Sequence, residues 1–248
     1  MRVPYTLSDQ SITVFVNGKM RTILAGNKNF ETLKDHLRED DHDANLILKL
    51  SDREETVRQS AGKHVEVIAG TVYYKGEEVH NALSDKLLDM IDQGFDATPW
   101  AKFLEKLMAN PSYRSRNCLY EFLERFNAPI TADGNFIAFK RIRNDWKDIH
   151  SGSMDNSVGT VVKMDRTKVD DDPKHTCSSG LHVCADSYLD GFADAAKSRT
   201  VVVEVDPSNV VAVPYDYNFA KMRVCEYTVL TEVDPADIRD VLKQAMYG

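Results

Sequence analysis

The sequence predicts an α+β protein: an N-terminal small α+β unit, a central helical pair, and a C-terminal mixed sheet with helices and long polar loops. Three observations predict it. Apolar and polar residues alternate on both sides of Asn17-Gly18, helical spacing governs the stretch from Trp100 to Phe126, and short β-branched runs separated by polar loops follow Asp133-Gly134. The 248 residues are 42% apolar and 28% charged, with 12 Gly and 8 Pro, a composition that can bury a core and argues against a disordered or fibrous chain. The expected division is a small α+β domain over residues 1–95 and a second domain, the helical pair plus an α+β part, over 96–248.

From Ser11 to Ile23 the alternation turns about Asn17-Gly18, a pair suited to the two positive φ angles of a tight hairpin. Phe30, Leu33 and Leu37, then Leu46, Ile47 and Leu50, recur at helical spacing, and the acidic run Glu39–Asp43 between them is expected to be a solvated connection. Val65–Ile68 and Thr71–Tyr74 form a second hairpin across Ala69-Gly70, with a further apolar touch at Val79. Ala82, Leu83, Leu87, Leu88 and Ile91 make one helical stripe that stops near Gly94. Thr98 and Pro99 open the next helix, which carries Trp100, Phe103, Leu104, Leu107 and Met108 on one face and ends at Asn110-Pro111. Leu119, Phe122, Leu123 and Phe126 line its partner, which stops before Asn127-Ala128-Pro129.

Phe136–Ile142 reads as a strand, and a long polar passage from Asn144 to His175 follows, interrupted by a short strand within Thr160–Met164. Loops beyond roughly 12 to 15 residues are uncommon in compact domains unless they are functional or disordered. Gly180 permits a turn, after which Leu181 and Val183 alternate with His182 and Cys184 as on a half-buried strand. A helix from Asp186 or Ser187 runs through Tyr188, Leu189, Phe192 and Ala195, and Thr200–Val205 is a strand ending in a turn at Asp206-Pro207. Val210–Val213 extends, Asp216–Lys221 loops, Met222–Leu230 reads as one strand, and Asp234-Pro235 opens a final helix with Ile238, Val241, Leu242 and Met246.

Thirty-nine acids against 31 bases leave a net charge of −8, which excludes a generally cationic nucleic-acid coat. Arg114, Arg116 and Arg125 on the helix pair could dock on phosphates, but Glu121 and Glu124 interleave with them and the whole chain is acidic, which argues against DNA docking. The longest apolar stretches, Val65–Tyr74 and Val201–Tyr215, are interrupted by charges and fall short of the roughly 18 to 20 residues that span a bilayer. No signal-like apolar core follows Met1, so a reducing compartment is expected and Cys118, Cys177, Cys184 and Cys225 read as free thiols. Walker, dinucleotide-fingerprint, zincin and esterase-elbow motifs do not occur.

Polar chemistry gathers in the second half. His175, Cys177, His182 and Cys184 spell H-x-C-x4-H-x-C, residue types that bind zinc, but ligands two apart on a strand need another element to complete a site. Packed, hydrogen-bonded side chains are the competing reading. Cys177 with His182 or His150 could form a nucleophile and base, although no protease-like signature surrounds any cysteine. Asp170–Asp172 lacks the spacing of a calcium loop and reads as a solvated turn before Pro173. Lys221 and Arg223 offer a seat for an anionic group, with pairing to Asp165 or to the aspartate cluster as the alternative. The candidate ligand-binding set is His150, Ser151, Asp155, Asn156, Arg166, Ser178, His182, Tyr217, Lys221 and Arg223, expected to converge in one recess. No catalytic residue, metal or cofactor is assigned.

Several ordered islands carry a resemblance: Phe103-Leu-Glu-Lys-Leu107, Asn110-Pro-Ser112, Leu123-Glu124, Pro129-Ile-Thr-Ala-Asp-Gly134, Ser151-Gly-Ser-Met-Asp-Asn156, Cys177-Ser-Ser-Gly-Leu-His182 and Lys221-Met-Arg-Val-Cys-Glu-Tyr227. Over about residues 100–230 the chain resembles the phage rIIB-like proteins, and residues 1–95 match less distinctly. The resemblance implies a role in lysis inhibition and in protecting an infecting phage from host or prophage exclusion, alongside an rIIA partner. It names a setting and no reaction. The resulting expectation is a non-enzymatic phage protein of the host cytoplasm that counters a defence or lysis signal. It would do so by binding a partner, either an rIIA-like phage protein or a host defence protein, or an anionic or nucleotide-like small molecule. The alternatives are an enzyme acting on a nucleotide-like substrate through His150, His182 or Cys177, and a membrane-peripheral subunit of an rIIA-containing assembly.

Overall fold

Asn17 and Gly18 adopt φ angles of 52° and 73°, the left-handed pair that closes the expected first hairpin. The structure is a computed structural model that describes residues 2–27, 29–52, 64–68, 71–79, 81–92, 97–189, 192, 197–238, 240 and 242. It separates into two units, Met1–Ala101 and Lys102–Gly248.

In the first unit β1 (Tyr5–Leu7), β2 (Ser11–Val16) and β3 (Lys19–Leu24) form an antiparallel sheet in that order. Alternation sends Ile12, Val14 and Val16 inward, where they pack with Phe30, Leu33, Leu37 and Ile47 from α1 (Phe30–His36) and α2 (Ala44–Leu50). At the end of the acidic connection the Asp43 carboxylate caps α2, accepting the backbone N–H groups of Asn45 and Leu46. A second antiparallel sheet joins β4 (Val65–Ile68), β5 (Thr71–Tyr74) and β6 (Glu77–Glu78), followed by α3 (Asn81–Asp92). The expected turn at Ala69-Gly70 and helix stop near Gly94 lie outside the described residues.

The helical pair is present as α4 (Thr98–Ala109) and α5 (Tyr113–Phe126). Ser112 caps α5 through the Ser115 N–H, and Asn127 ends it in the left-handed region at φ 46°. Beyond Ala101, Phe103, Leu104 and Leu107 on α4, and Leu119, Phe122 and Leu123 on α5, are buried. Gly134 is required where the chain crosses α4, because a Cβ there would stand 2.4 Å from the Phe103 nitrogen.

The second unit is built on a seven-stranded sheet in the order β11-β12-β9-β7-β10-β13-β8. Its strands are β7 (Phe136–Arg143), β8 (Val161–Lys163), β9 (Leu181–Cys184), β10 (Ser198–Val205), β11 (Val210–Ala212), β12 (Lys221–Val224) and β13 (Glu226–Val233). The expected α+β class and large C-terminal sheet are both present. Neighbouring strands of that sheet run antiparallel, so the mixture is of sheet and helix and not of strand direction. Phe136 and Ala138 on one face of β7 and Ile137 and Phe139 on the other are all buried, as in a strand covered on both sides.

The single strand expected over Met222–Leu230 is two. Cys225 separates β12 from β13, and each half pairs with different neighbours. Four strand spacings lie between those halves in the sheet order, about 19 Å if the sheet were flat. One intervening residue reaches about 7 Å. The sheet must therefore curl until its ends meet, and they meet at Cys225, whose N–H donates to the Asn209 carbonyl (2.9 Å) and whose carbonyl accepts from the Met164 N–H (2.8 Å).

The long polar passage owes its order to aspartates that fold back on their own chain. Asp145, Asp155, Asp165, Asp170 and Asp172 each accept the N–H two residues ahead, making a series of Asx turns. Past Asp186–Leu189 (α6), most of the helix expected through Ala195 lies outside the described residues, as do Val241 and Met246. Asp234 caps a single 3-10 turn at Pro235–Asp237, where the sequence predicts the opening of the final helix. Among the described residues no helix is long and apolar enough to cross a membrane.

Candidate functional site

Strand β7 pairs with β10 along its whole length but with β9 at one position, Phe139 opposite Cys184. Beyond that pair the Lys140 ammonium, in place of a backbone N–H, donates to the His182 carbonyl at 2.8 Å. A cavity of about 440 Å³ opens in this split. Its walls are β7 at Lys140 and Arg141, β9, the loops around 148–154 and 177–180, and the side chains of Tyr188, Phe192, Lys221 and Tyr227.

Rings follow one another along the cavity. Tyr188 stacks on Phe192 with centroids 5.6 Å apart, Phe192 lies 6.2 Å from His150, and His150 lies 6.2 Å from His182. The Lys221 ammonium donates to the Thr176 carbonyl (2.7 Å) and sits 5.6 Å from the Tyr188 ring and 5.0 Å from that of Tyr217. Tyr217, Asn218 and Phe219 hold three successive positive φ angles, an unusual left-handed turn that brings Tyr217 edge-on to Tyr188.

The electrostatics are one-sided. Among the described residues no carboxylate lies within 4.0 Å of Lys140, Arg141 or Lys221. Burial lowers Lys140 to about 8, with Cys184 and Asp148 opposing. Burial, together with the charges of Lys140, Lys221 and Arg223, lowers His182 to about 3, so its imidazole is neutral, and its buried Nε2 has no hydrogen-bond partner among the described residues. Among the described lining residues the one carboxylate, Asp148, is taken up by its own loop. Burial would raise it, but hydrogen bonds from Ser151 Oγ (2.7 Å) and the N–H groups of Ser151, Ser153 and Met154 prevail and hold it well below the carboxylate range.

Across residues 3–248 the chain matches the family model described as bacteriophage T4 protein rIIB. The chain belongs to the rIIB family. Among relatives it is 42% identical over 181 residues to Protein rIIB of Enterobacteria phage T4, a match taking in 71% of this chain and 58% of that protein. The chain thus spans about 58% of the length of the relative it matches. No solved structure matches. The family match includes the N-terminal residues, where the resemblance in the sequence is less distinct.

Within this rIIB-family chain, five residues of the candidate set line the cavity: His150, Ser151, Ser178, His182 and Lys221. Tyr217 stands behind Lys221. Four do not reach it. Arg223 is fully buried and donates to the carbonyls of Asp170, Asp172 and His175 at 2.6–2.7 Å. The alternative reading, in which Lys221 and Arg223 pair with Asp165 or the aspartate cluster, gives way to bonds to main-chain carbonyls. Gly180 makes room for Arg223, since a Cβ there would stand 2.9 Å from Val169 and 3.1 Å from the arginine Cδ. Arg166 ties the Ser208 and Val210 carbonyls to Asn110, Asn156 is buried and accepts the Tyr227 hydroxyl, and Asp155 accepts from Ser157.

The H-x-C-x4-H-x-C run does not converge. The His175 Nδ1–H donates to the Asp170 carboxylate (2.6 Å), Cys177 is exposed, and the Cys184 thiol, pushed up to about 12 by burial, donates to the Phe139 carbonyl. Among the described residues no group of three His, Cys, Asp or Glu could hold a metal ion, and no disulfide joins any of the four cysteines. Sequence reasoning misses Lys140, Arg141, Tyr188, Phe192 and Tyr227, which read as ordinary strand and helix residues. The signal available is two adjacent cations inside the otherwise apolar run Phe136–Ile142.

Proposed function

We propose that this rIIB-family phage protein acts by binding, in the host cytoplasm, and that it counters a host defence or lysis signal by capturing a small anionic molecule in the split between β7 and β9. The observation that carries the reading is the cavity's missing counter-charge. Among the described residues, Lys140 and Lys221 line it without a carboxylate within 4.0 Å, in a chain of net charge −8 that has acids to place there, while Arg141, also in the wall, gives its guanidinium to Ser198 Oγ (3.3 Å) and the Leu189 carbonyl (3.2 Å). A desolvated cation without a counter-charge costs several kcal/mol, and a bound anion would offset that cost. Asp148 does not supply the charge, because its oxygens already accept from the loop. The volume lies within the range of small-molecule sites.

The test is native mass spectrometry of the protein taken from infected cells, together with phage carrying Lys140→Met and Lys221→Met. A bound anionic species that disappears in folded variants, with protection lost, supports capture. If both variants protect as the unaltered protein does and no small molecule co-purifies, the capture reading is wrong, and docking on an rIIA-like or host protein is left. Turnover of the captured molecule would make the protein an enzyme and overturn the binding role.

A further inference from the structure

We infer that the captured molecule is of the nucleotide class, a planar heteroaromatic base joined to a phosphate, with the base against the Phe192 and His150 rings and the phosphate between the Lys140 and Lys221 ammoniums. This rests on the capture reading above and adds the ligand's chemistry. An anion alone would answer only the cations. It would make no use of the run Tyr188, Phe192, His150, His182, whose successive centroids are 5.6, 6.2 and 6.2 Å apart. Phe192, His150 and His182, tilted at 44° and 55° to one another along one wall, offer aromatic surface to a flat aromatic partner, and stacking tolerates any base.

The hydrogen-bonding inventory agrees. Among the described residues the buried Nε2 of His182 has no partner, and a neutral imidazole can meet either a donor or an acceptor on a base edge. Lys140 and Lys221 each give one hydrogen to a carbonyl, those of His182 and Thr176, leaving two donors apiece for phosphate oxygens. Both ammoniums act on His182 through their charge, so they lie near the imidazole end of the ring run. The groups facing the Lys140 ammonium are the Tyr227 ring at 5.5 Å, the His182 carbonyl, the Cys184 thiol and the loop-bound Asp148 carboxylate. Of these cavity groups Lys140, at about 8, is the one that changes charge in mild alkali, since burial raises Cys184 to about 12 and raises Tyr227 further.

The test is calorimetric titration of the full chain with AMP, GMP, CMP and UMP, and with adenosine, inorganic phosphate and citrate as controls. The expected result is that at least one monophosphate binds at least about tenfold more tightly than adenosine, phosphate or citrate. Phe192→Ala should reduce the advantage over phosphate, and Lys140→Met the advantage over adenosine. Without any substitution, affinity for the monophosphate should fall as pH rises from about 7 to about 9.5, since the phosphate keeps its charge there and Lys140 loses its own. Equal affinity for phosphate, citrate and the monophosphates would overturn the nucleotide assignment and leave anion capture standing. Failure of every anion to bind, with the fold intact by circular dichroism, would overturn both.

Discussion

The two edges of β7 behave differently. Against β10 it forms an unbroken ladder from Phe136 opposite Val205 to Arg143 opposite Ser198, whereas against β9 it pairs once and then parts. The closed edge is flanked by Val201, Val203 and Val229, all fully buried, and backbone groups make its ladder. The open edge carries Lys140 and His182, and there a side-chain bond from the lysine replaces a backbone bond. The lesson is that one strand can be anchored on one side firmly enough to leave the other side incomplete, and the incomplete side is where polar chemistry accumulates.

The comparison breaks if the closed edge is not the anchor. Phe136→Ala, at a fully buried ladder residue, should lower unfolding free energy in urea by about 3–5 kcal/mol, and a loss below about 1 kcal/mol would remove the distinction. On the open side, Asp148→Asn should cost about 1–3 kcal/mol, because a neutral amide accepts less well from the Ser151, Ser153 and Met154 donors. The Asp148 carboxyl sits below its ordinary value when folded, so this contribution is complete above the usual carboxylate range and is lost as pH falls through the depressed value. Denaturation at about pH 7 and about pH 3 checks it, the gap between the two proteins narrowing in acid.

Lys140→Met sharpens the contrast by its opposite sign. The folded lysine releases its proton at about 8 against 10.5 for an ordinary lysine, so charge at this position works against folding below about 8. The ligand-free variant should be more stable than the parent by about 1 kcal/mol at neutral pH. As pH climbs from about 8 toward 10.5 the parent should recover, because the unfolded chain then holds a proton that the folded one has released. Guanidinium unfolding at about pH 7 and about pH 9.5 measures both. The smallest effect belongs to the exposed Arg199–Glu232 pair on the closed side (2.9 Å), where Glu232→Gln should change stability by less than about 1 kcal/mol and less still in high salt.

Local chemistry carries much of the architecture. Asn17-Gly18 announces its hairpin, Ser112 and Asn127 bracket α5, and the valines of β10 read as a strand, because each signal lies within a few residues of the element it specifies. The site is legible in part, for a physical reason. His150, Ser151, Ser178, His182 and Lys221 stand in polar segments that invite attention, but whether they converge depends on pairings between β7, β9 and β12, which lie far apart in the chain. Lys140 and Arg141 are hidden inside an apolar strand, and no local rule marks where a ladder stops. Arg223 misleads for the converse reason: a cation near aspartates suggests ion pairing, whereas the turns of Asp170 and Asp172 aim their carbonyls at it instead.

The corner at Cys225 has a mechanical consequence. A flat sheet has two free rims that can fray independently, but here the segments leading to β11 and from β8 are both pinned to the same residue, so the sheet resembles a hoop fastened by one rivet. Loosening either rim means releasing that rivet and with it the other rim. Amide protons of Ala212 and Val162, far apart in the chain, should therefore exchange with solvent together, on a shared clock.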